Sequence, residues 1–247
     1  DGVNIFVSAD AAATGDGSEN NPYTLEAARD AVRKMSKDKP IYVLLRGGTY
    51  FREEAFILTE EDSGAENAVV TWQNYPNETP LISGGKEVTG WVYDEQNDWY
   101  VAEVGKDLPI RNLFIDGERR PRASISNYPL GKTTTGYRYN GTPTAPFDTM
   151  ANWRNPSDIE LVASNSWKSF RIKVDRIEGN EFIVDPAQFS KGNATGAYGL
   201  PDGIDRVENA FELMDAAGEW YYDRTEGKIY AIPEGGETDF AEKTAIV

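Results

Sequence analysis

The 247-residue chain contains no histidine and no cysteine. Without histidine there is no Ser-His-Asp triad, no imidazole base and no imidazole ligand for a metal. Without cysteine there are no disulfides, no thiolate nucleophile and no thiolate zinc site. Cations are scarce as well: 25 Lys and Arg stand against 41 Asp and Glu, a net charge of −16. A surface of that sign repels nucleic acids and anionic lipid, so neither nucleic acid nor membrane is expected as a partner. No apolar run approaches the ~20 residues of a membrane span. The opening Asp1-Gly2-Val3-Asn4 has neither the basic nor the apolar part of a signal peptide. Gly15-Asp16-Gly17 precedes a helix but lacks the third glycine and the Lys-Ser/Thr of a phosphate loop. Asp10, Asp16-Gly17-Ser18-Glu19 and Asp94-Glu95-Gln96-Asn97-Asp98 offer oxygen ligands without EF-hand spacing. No cofactor and no metal is therefore expected. Hydrolysis, if it occurs, must run on carboxylates, Tyr, Lys or an oxygen-ligated ion. A binding or structural chain satisfies the same absences equally well.

What is present reads as a mainly β chain. Asn4-Ile5-Phe6-Val7-Ser8 is a short strand, and a loop rich in Gly, Asp and Asn follows. One helix is predicted over 24–35, because Leu25, Ala28, Val32 and Met35 form a single stripe of a 3.6-residue period. Thr24 suits its N-cap, Glu26 its positive end, and Arg33 and Lys34 its negative end. After Pro40 come four apolar runs: 41–45, 55–59, 68–72 and 80–83. The first and third are about 27 residues apart, and the second and fourth about 25, within the range of a coiled solenoid. An ordinary sheet with evenly spaced strands explains the spacing too. From about Val88 aromatic and polar residues alternate, as in Trp91, Tyr93, Trp99 and Tyr100. Strands are predicted at 99–103, 112–115, 169–174, 181–184, 211–213, 219–223 and 228–231, with hairpin turns at Asp116-Gly117 and Glu226-Gly227. The stretch 128–165 reads as a long loop.

Forty-one acids offer many carboxylate pairs, and a glycosidase needs one such pair flanking its scissile bond. Nothing in the spacing selects a pair, so the catalytic residues stay unknown. Trp153, Trp167, Tyr137 and Tyr139 lie in or beside the long loop among Gly, Asn, Thr and Pro. Their rings either stack on the apolar faces of sugar rings or pack the loop onto its own sheet. Arg120 and Arg122, in Arg119-Arg120-Pro121-Arg122, either grip a carboxylate such as a uronate or pair with acids of the chain.

Several segments together resemble bacterial glycoside hydrolases built on a right-handed parallel β-helix, of the xylosidase or fucosidase/xylanase type. They are Asn21-Pro22-Tyr23-Thr24-Leu25-Glu26-Ala27-Ala28-Arg29-Asp30-Ala31-Val32-Arg33, Leu45-Arg46-Gly47-Gly48-Thr49-Tyr50, Glu61-Asp62-Ser63-Gly64, Asn74-Tyr75-Pro76-Asn77-Glu78-Thr79-Pro80 and Ile82-Ser83-Gly84-Gly85. Further on come Leu113-Phe114-Ile115-Asp116-Gly117-Glu118-Arg119-Arg120-Pro121-Arg122-Ala123, Glu219-Trp220-Tyr221-Tyr222-Asp223 and Lys228-Ile229-Tyr230-Ala231-Ile232-Pro233. The resemblance covers nearly the whole chain. It implies a capping helix and the first β-helix turns over 1–87, a β-sandwich-like insertion over 88–235, and a return segment over 236–247. In such hydrolases the catalytic acids lie on later turns, so no position here is matched to one. The expectation is a carbohydrate-binding or scaffolding module of an extracellular or periplasmic polysaccharide-degrading protein, with a plant-type glycan such as xylan or pectin as partner. Two alternatives stand beside it: a glycoside hydrolase with an acidic pair inside these residues, and a structural adhesin or spike-like module. The open end of a short solenoid exposes apolar side chains, so it is expected to be covered by the insertion, by a second copy, or by a further C-terminal β-helix segment.

Overall fold

The computed structural model of the chain describes residues 2–126, 131–132, 138–141, 144–193 and 204–247. The protein is mainly β, with several sheets and few helices. It divides into two compact units, Asp1–Lys86 and Glu87–Val247.

In the first unit, β1 (Val3–Val7), β2 (Ile41–Leu45) and β4 (Val70–Asn74) form a three-stranded parallel sheet in that order. β3 (Gly48–Phe51) and β5 (Pro80–Ser83) make a second parallel pair. The registers stack apolar on apolar: Ile5 beside Val43 beside Trp72, and Tyr50 beside Ile82. Helix α1 (Leu25–Lys34) begins where the stripe and cap predicted. The Thr24 hydroxyl accepts the Ala27 N–H at 3.2 Å. Its buried stripe of Leu25, Ala28 and Val32 joins Ile5, Val7, Ile41, Val43, Leu45 and Tyr50 in one core. The predicted strand at 55–59 is not one. Those residues join no strand ladder, and Ile57 and Leu58 are exposed, because the strand that meets 80–83 is Gly48–Phe51.

The second unit is antiparallel. Among the described residues its largest sheet has seven strands: β11 (Ser124–Ser126), β17 (Arg206–Glu208), β14 (Glu160–Asn165), β15 (Lys168–Glu178), β16 (Glu181–Val184), β13 (Arg138–Asn140) and β12 (Gly131–Lys132), in that order. A four-stranded sheet runs β18 (Trp220–Asp223), β19 (Lys228–Ala231), β8 (Trp99–Glu103) and β7 (Val92–Asp94). Another runs β10 (Glu118–Arg119), β9 (Phe114–Ile115), β20 (Ala245–Ile246) and β6 (Glu87–Val88). The last strand, β20, thus pairs antiparallel with the first, β6, so the two ends of this unit lie side by side. Within 236–247, Ala245–Ile246 supply β20 of this sheet, and the segment lies in the second unit.

Asp116-Gly117 makes the hairpin between β9 and β10, with positive φ at both residues, 50° and 80°. The segment 211–213, predicted as a strand, is a single 3-10 turn. Phe211 packs edge-on against Trp99, Tyr221 and Tyr230, and the Leu213 and Met214 N–H groups bond back to Ala210 and Phe211. Ring packing inside the core outweighs the strand propensity of the sequence there. The long loop of the sequence reading holds β12, β13 and β14 and two 3-10 turns among its described residues.

Candidate functional site

Only carboxylates could readily carry hydrolysis in this chain, and the second unit buries Glu160, Glu208, Glu219 and Asp223. Glu160 opens β14 and is 3% exposed. Arg111 binds it through two hydrogen bonds of 2.6 and 2.8 Å, and Arg122 adds a third at 3.0 Å. Burial pushes the Glu160 carboxyl up, but the two guanidinium groups outweigh it and hold the carboxyl below its usual range. Glu208, facing it across β14 and β17, is bound by Arg171 and by Arg206 at 2.5 Å. Asp223 accepts from Asn155, Thr225 and the N–H groups of Thr225 and Glu226. Its burial raises the carboxyl, and these donors with Arg154 outweigh the rise.

Glu219 differs in sign. Burial raises its carboxyl above the ordinary range even though the N–H groups of Ser124, Asp215 and Ala216 all point at it. Three backbone donors occupy both its oxygens, which makes it a buried tie between loops rather than an accessible acid. These four buried acids are thus committed to partners within the protein. Among the described residues no group of three or more Asp and Glu is arranged to hold a metal. Asp94, in the acidic run 94–98, instead caps its own turn by accepting from the Gln96 N–H and the Asn97 amide.

The sequence-predicted site residues scatter. Trp153 and Tyr139 are core: Trp153 is 5% exposed between Phe147 and Phe182, and Tyr139 is fully buried opposite Phe182. Their rings face protein, because residues around 147–153 fold as a 3-10 turn onto the seven-stranded sheet's core. Trp167 stands at the β14–β15 hairpin tip, 81% exposed, next to Ser166 with φ of 55°. Tyr137 lies outside the described residues. Arg120 is buried and paired with Glu234 and, at 2.8 Å, Glu237. Arg122 pairs with Glu160, and its side chain is 8% exposed, so the two arginines bind acids of the chain itself.

Among the described residues this unit carries a smaller and a larger cleft. The smaller, about 270 Å³, is lined by Arg111, Arg122, Asp158, Glu160, Lys173 and Arg224 among others. Its guanidinium groups are already engaged, Arg224 by Asp107 and Asp158. The larger, about 520 Å³, lies between the β7–β8 hairpin and the loop over 232–238. Tyr93, Asp98 and Tyr100 form one wall, with Ile232, Pro233, Glu234 and Glu237 opposite. Sequence reasoning missed this cleft. Its only early signal was the aromatic alternation through 91–100, and nothing in that pattern pointed to the distant 232–238 loop.

Comparisons with known proteins bear on this architecture. No family model matches the chain. Pectate lyase L of Thermoclostridium stercorarium is 31% identical over 120 residues, which is 47% of this chain and 9% of that protein. A solved structure described as a glycoside hydrolase superposes with a TM-score of 0.78 at 23% identity, covering 99% of this chain and 46% of that one. This likeness is one of fold. XylC in complex with xylose gives a TM-score of 0.37 at 11% identity, over 99% of this chain and 31% of that one. The chain spans less than half the length of each of these proteins.

Proposed function

We propose that this chain is a carbohydrate-binding or scaffolding part of a polysaccharide-degrading protein. In this reading 2–86 are the first turns of a right-handed parallel β-helix capped by α1, and 87–247 are an inserted β-sandwich-like domain. The observation that carries the reading is the fold shared with a glycoside hydrolase across 99% of the chain. The similarity to pectate lyase L agrees with it. The apolar-on-apolar parallel registers support the β-helix. The adjacency of β6 and β20 supports the insertion, since a domain spliced into a parent fold must enter and leave at neighbouring points. The commitment of Glu160, Glu208, Glu219 and Asp223 to internal partners supports binding rather than catalysis within these residues.

Affinity electrophoresis on soluble xylans and pectins tests the reading. Retardation by at least one glycan is expected, with no turnover of nitrophenyl glycosides. No retardation by any glycan removes the binding role, and turnover replaces it with an enzyme whose acids lie within this chain.

A further inference from the structure

The larger cleft of the second unit has features of a ligand site. Its volume, about 520 Å³, falls in the range of roughly 300–1,000 Å³ typical of small-molecule sites. The wall on the β7–β8 side is aromatic and braced from behind. Tyr100 stacks on buried Phe240, 4.7 Å between centroids and 19° between planes. Tyr93 leans on Tyr100 at 5.0 Å, and its hydroxyl donates to Asp98. Tyr93 remains 44% exposed. A tyrosine held at both its ring and its hydroxyl loses little entropy when a flat apolar face settles on it.

The opposite wall is fixed as well. Glu237 takes hydrogen bonds from Lys243 at 2.6 Å, Arg120 at 2.8 Å and the Glu234 N–H at 2.8 Å. Burial pushes the Glu237 carboxyl up, and these donors outweigh it, so the group stays ionised at neutral pH. Glu234, 55% exposed at its side chain, and Asp98 reach solvent at the rim.

The charge of the lining selects the ligand. Among the described residues three carboxylates, Asp98, Glu234 and Glu237, line the cleft and no Lys or Arg does, although Arg120 pairs with Glu234 and Glu237 and Lys243 with Glu237. Carboxylates accept hydrogen bonds from sugar hydroxyls and repel a uronate. We infer that this cleft is a subsite for a neutral saccharide, with Tyr93 as the stacking platform and Asp98 and Glu234 as hydroxyl acceptors. The inference rests on the carbohydrate-binding reading above and narrows it: a neutral glycan binds here, and polygalacturonate does not.

The test uses the whole chain in affinity gels containing neutral xylan, neutral glucan or polygalacturonate, with four variants. Tyr93→Ala removes the platform and is expected to weaken neutral-glycan binding at least tenfold. Tyr93→Phe keeps the ring and is expected to stay within about threefold of the parent, in line with stacking as the main term. Gly235→Leu obstructs the cleft at a position where a Cβ meets nothing within 4 Å, so it is expected to lose binding with an unchanged melting temperature. Trp167→Ala, at the separate hairpin tip, is expected to bind as the parent does. A parent chain retarded by no glycan sinks the carbohydrate reading and the subsite together. A retarded parent with Tyr93→Ala and Gly235→Leu unchanged, or with the loss falling on Trp167→Ala, overturns the subsite alone. Preferential retardation by polygalacturonate overturns the assignment to neutral sugars. Should Tyr93→Ala melt early, Gly235→Leu decides between these outcomes by itself.

Discussion

The two units build their sheets in different ways. In the second, the strands are antiparallel, the final strand β20 pairs with the first strand β6, and buried charges are tied by Arg–carboxylate pairs. In the first, parallel strands are stacked by register, and β4 and β5 have no further strand beyond them among the described residues. The consequence is visible in what each exposes. Val3, Phe51, Ile57, Leu58, Val69, Leu81 and Ile82 are exposed in the first unit, against Val92, Tyr93 and Trp167 in the larger second. The antiparallel unit thus leaves few large apolar side chains in solvent for its size, whereas the parallel unit exposes several on and beside its strands.

The strongest way to break this contrast is to hollow the second unit. Trp220 is fully buried, and its indole N–H donates to the Arg120 carbonyl at 3.1 Å. Trp220→Ala is expected to cost about 3–5 kcal/mol, read by urea unfolding followed by circular dichroism. A loss below about 1 kcal/mol would mean the second unit is not the tightly packed partner in the comparison. Glu160→Gln comes next, at about 3 kcal/mol. Arg111, 48% exposed at its side chain, can turn to water, but Arg122 cannot and is left as a buried, partly unpaired cation. Near-normal stability of Glu160→Gln would show that the pair is hydrated in solution.

How legible this was in the sequence follows the distance over which each feature is decided. The helix was readable because Thr24, the Leu25–Ala28–Val32 stripe and the basic last turn are all local. The strands at 41–45, 181–184 and 228–231 were readable from short apolar runs, and the Asp116-Gly117 turn from its dipeptide. The strand expected at 55–59 failed because pairing is decided by a partner, and Pro80–Ser83 took Gly48–Phe51 instead. Trp153 and Tyr139 looked like ligand platforms, since a Trp or Tyr in a polar loop has no sequence mark that tells core from surface. The Arg111–Glu160 and Arg120–Glu237 pairs join residues far apart in the chain, and the larger cleft joins 93–100 to 232–238. None of these is visible without the fold.

A milder effect is expected from the charge that the first unit does bury. Asp62 receives two hydrogen bonds from Arg33 on α1, of 2.8 and 2.9 Å, and one from the Thr59 N–H. Its Arg33 bond is the main cause that lowers the carboxyl to about 2. The folded value lies below the ordinary carboxylate value of about 3.9, so the contribution is fully present above about pH 4 and disappears as pH falls through about 2. Asp62→Asn is expected to cost about 1–2 kcal/mol at pH 7 and to flatten the fall in unfolding midpoint between pH 4 and 2. An unchanged acid limb in Asp62→Asn would place that loss on other carboxylates.

The smallest effect is expected where the first unit is most apolar on its outside. Leu81 and Ile82 are neighbours on β5, so their side chains leave opposite faces of the strand, yet they are 46% and 51% exposed. A strand buried on neither face has little packing to lose. Leu81→Lys should therefore change stability by no more than about 0.5 kcal/mol, whereas a lysine on the covered row at Val43 has no such tolerance. The measurement is urea unfolding at two protein concentrations, with sedimentation beside it. A large loss for Leu81→Lys would mean that the β5 edge is covered in solution. If that loss shrank on dilution and the parent sedimented as a dimer, the cover would be a second copy of the chain, and the open edge would be a meeting surface between two copies.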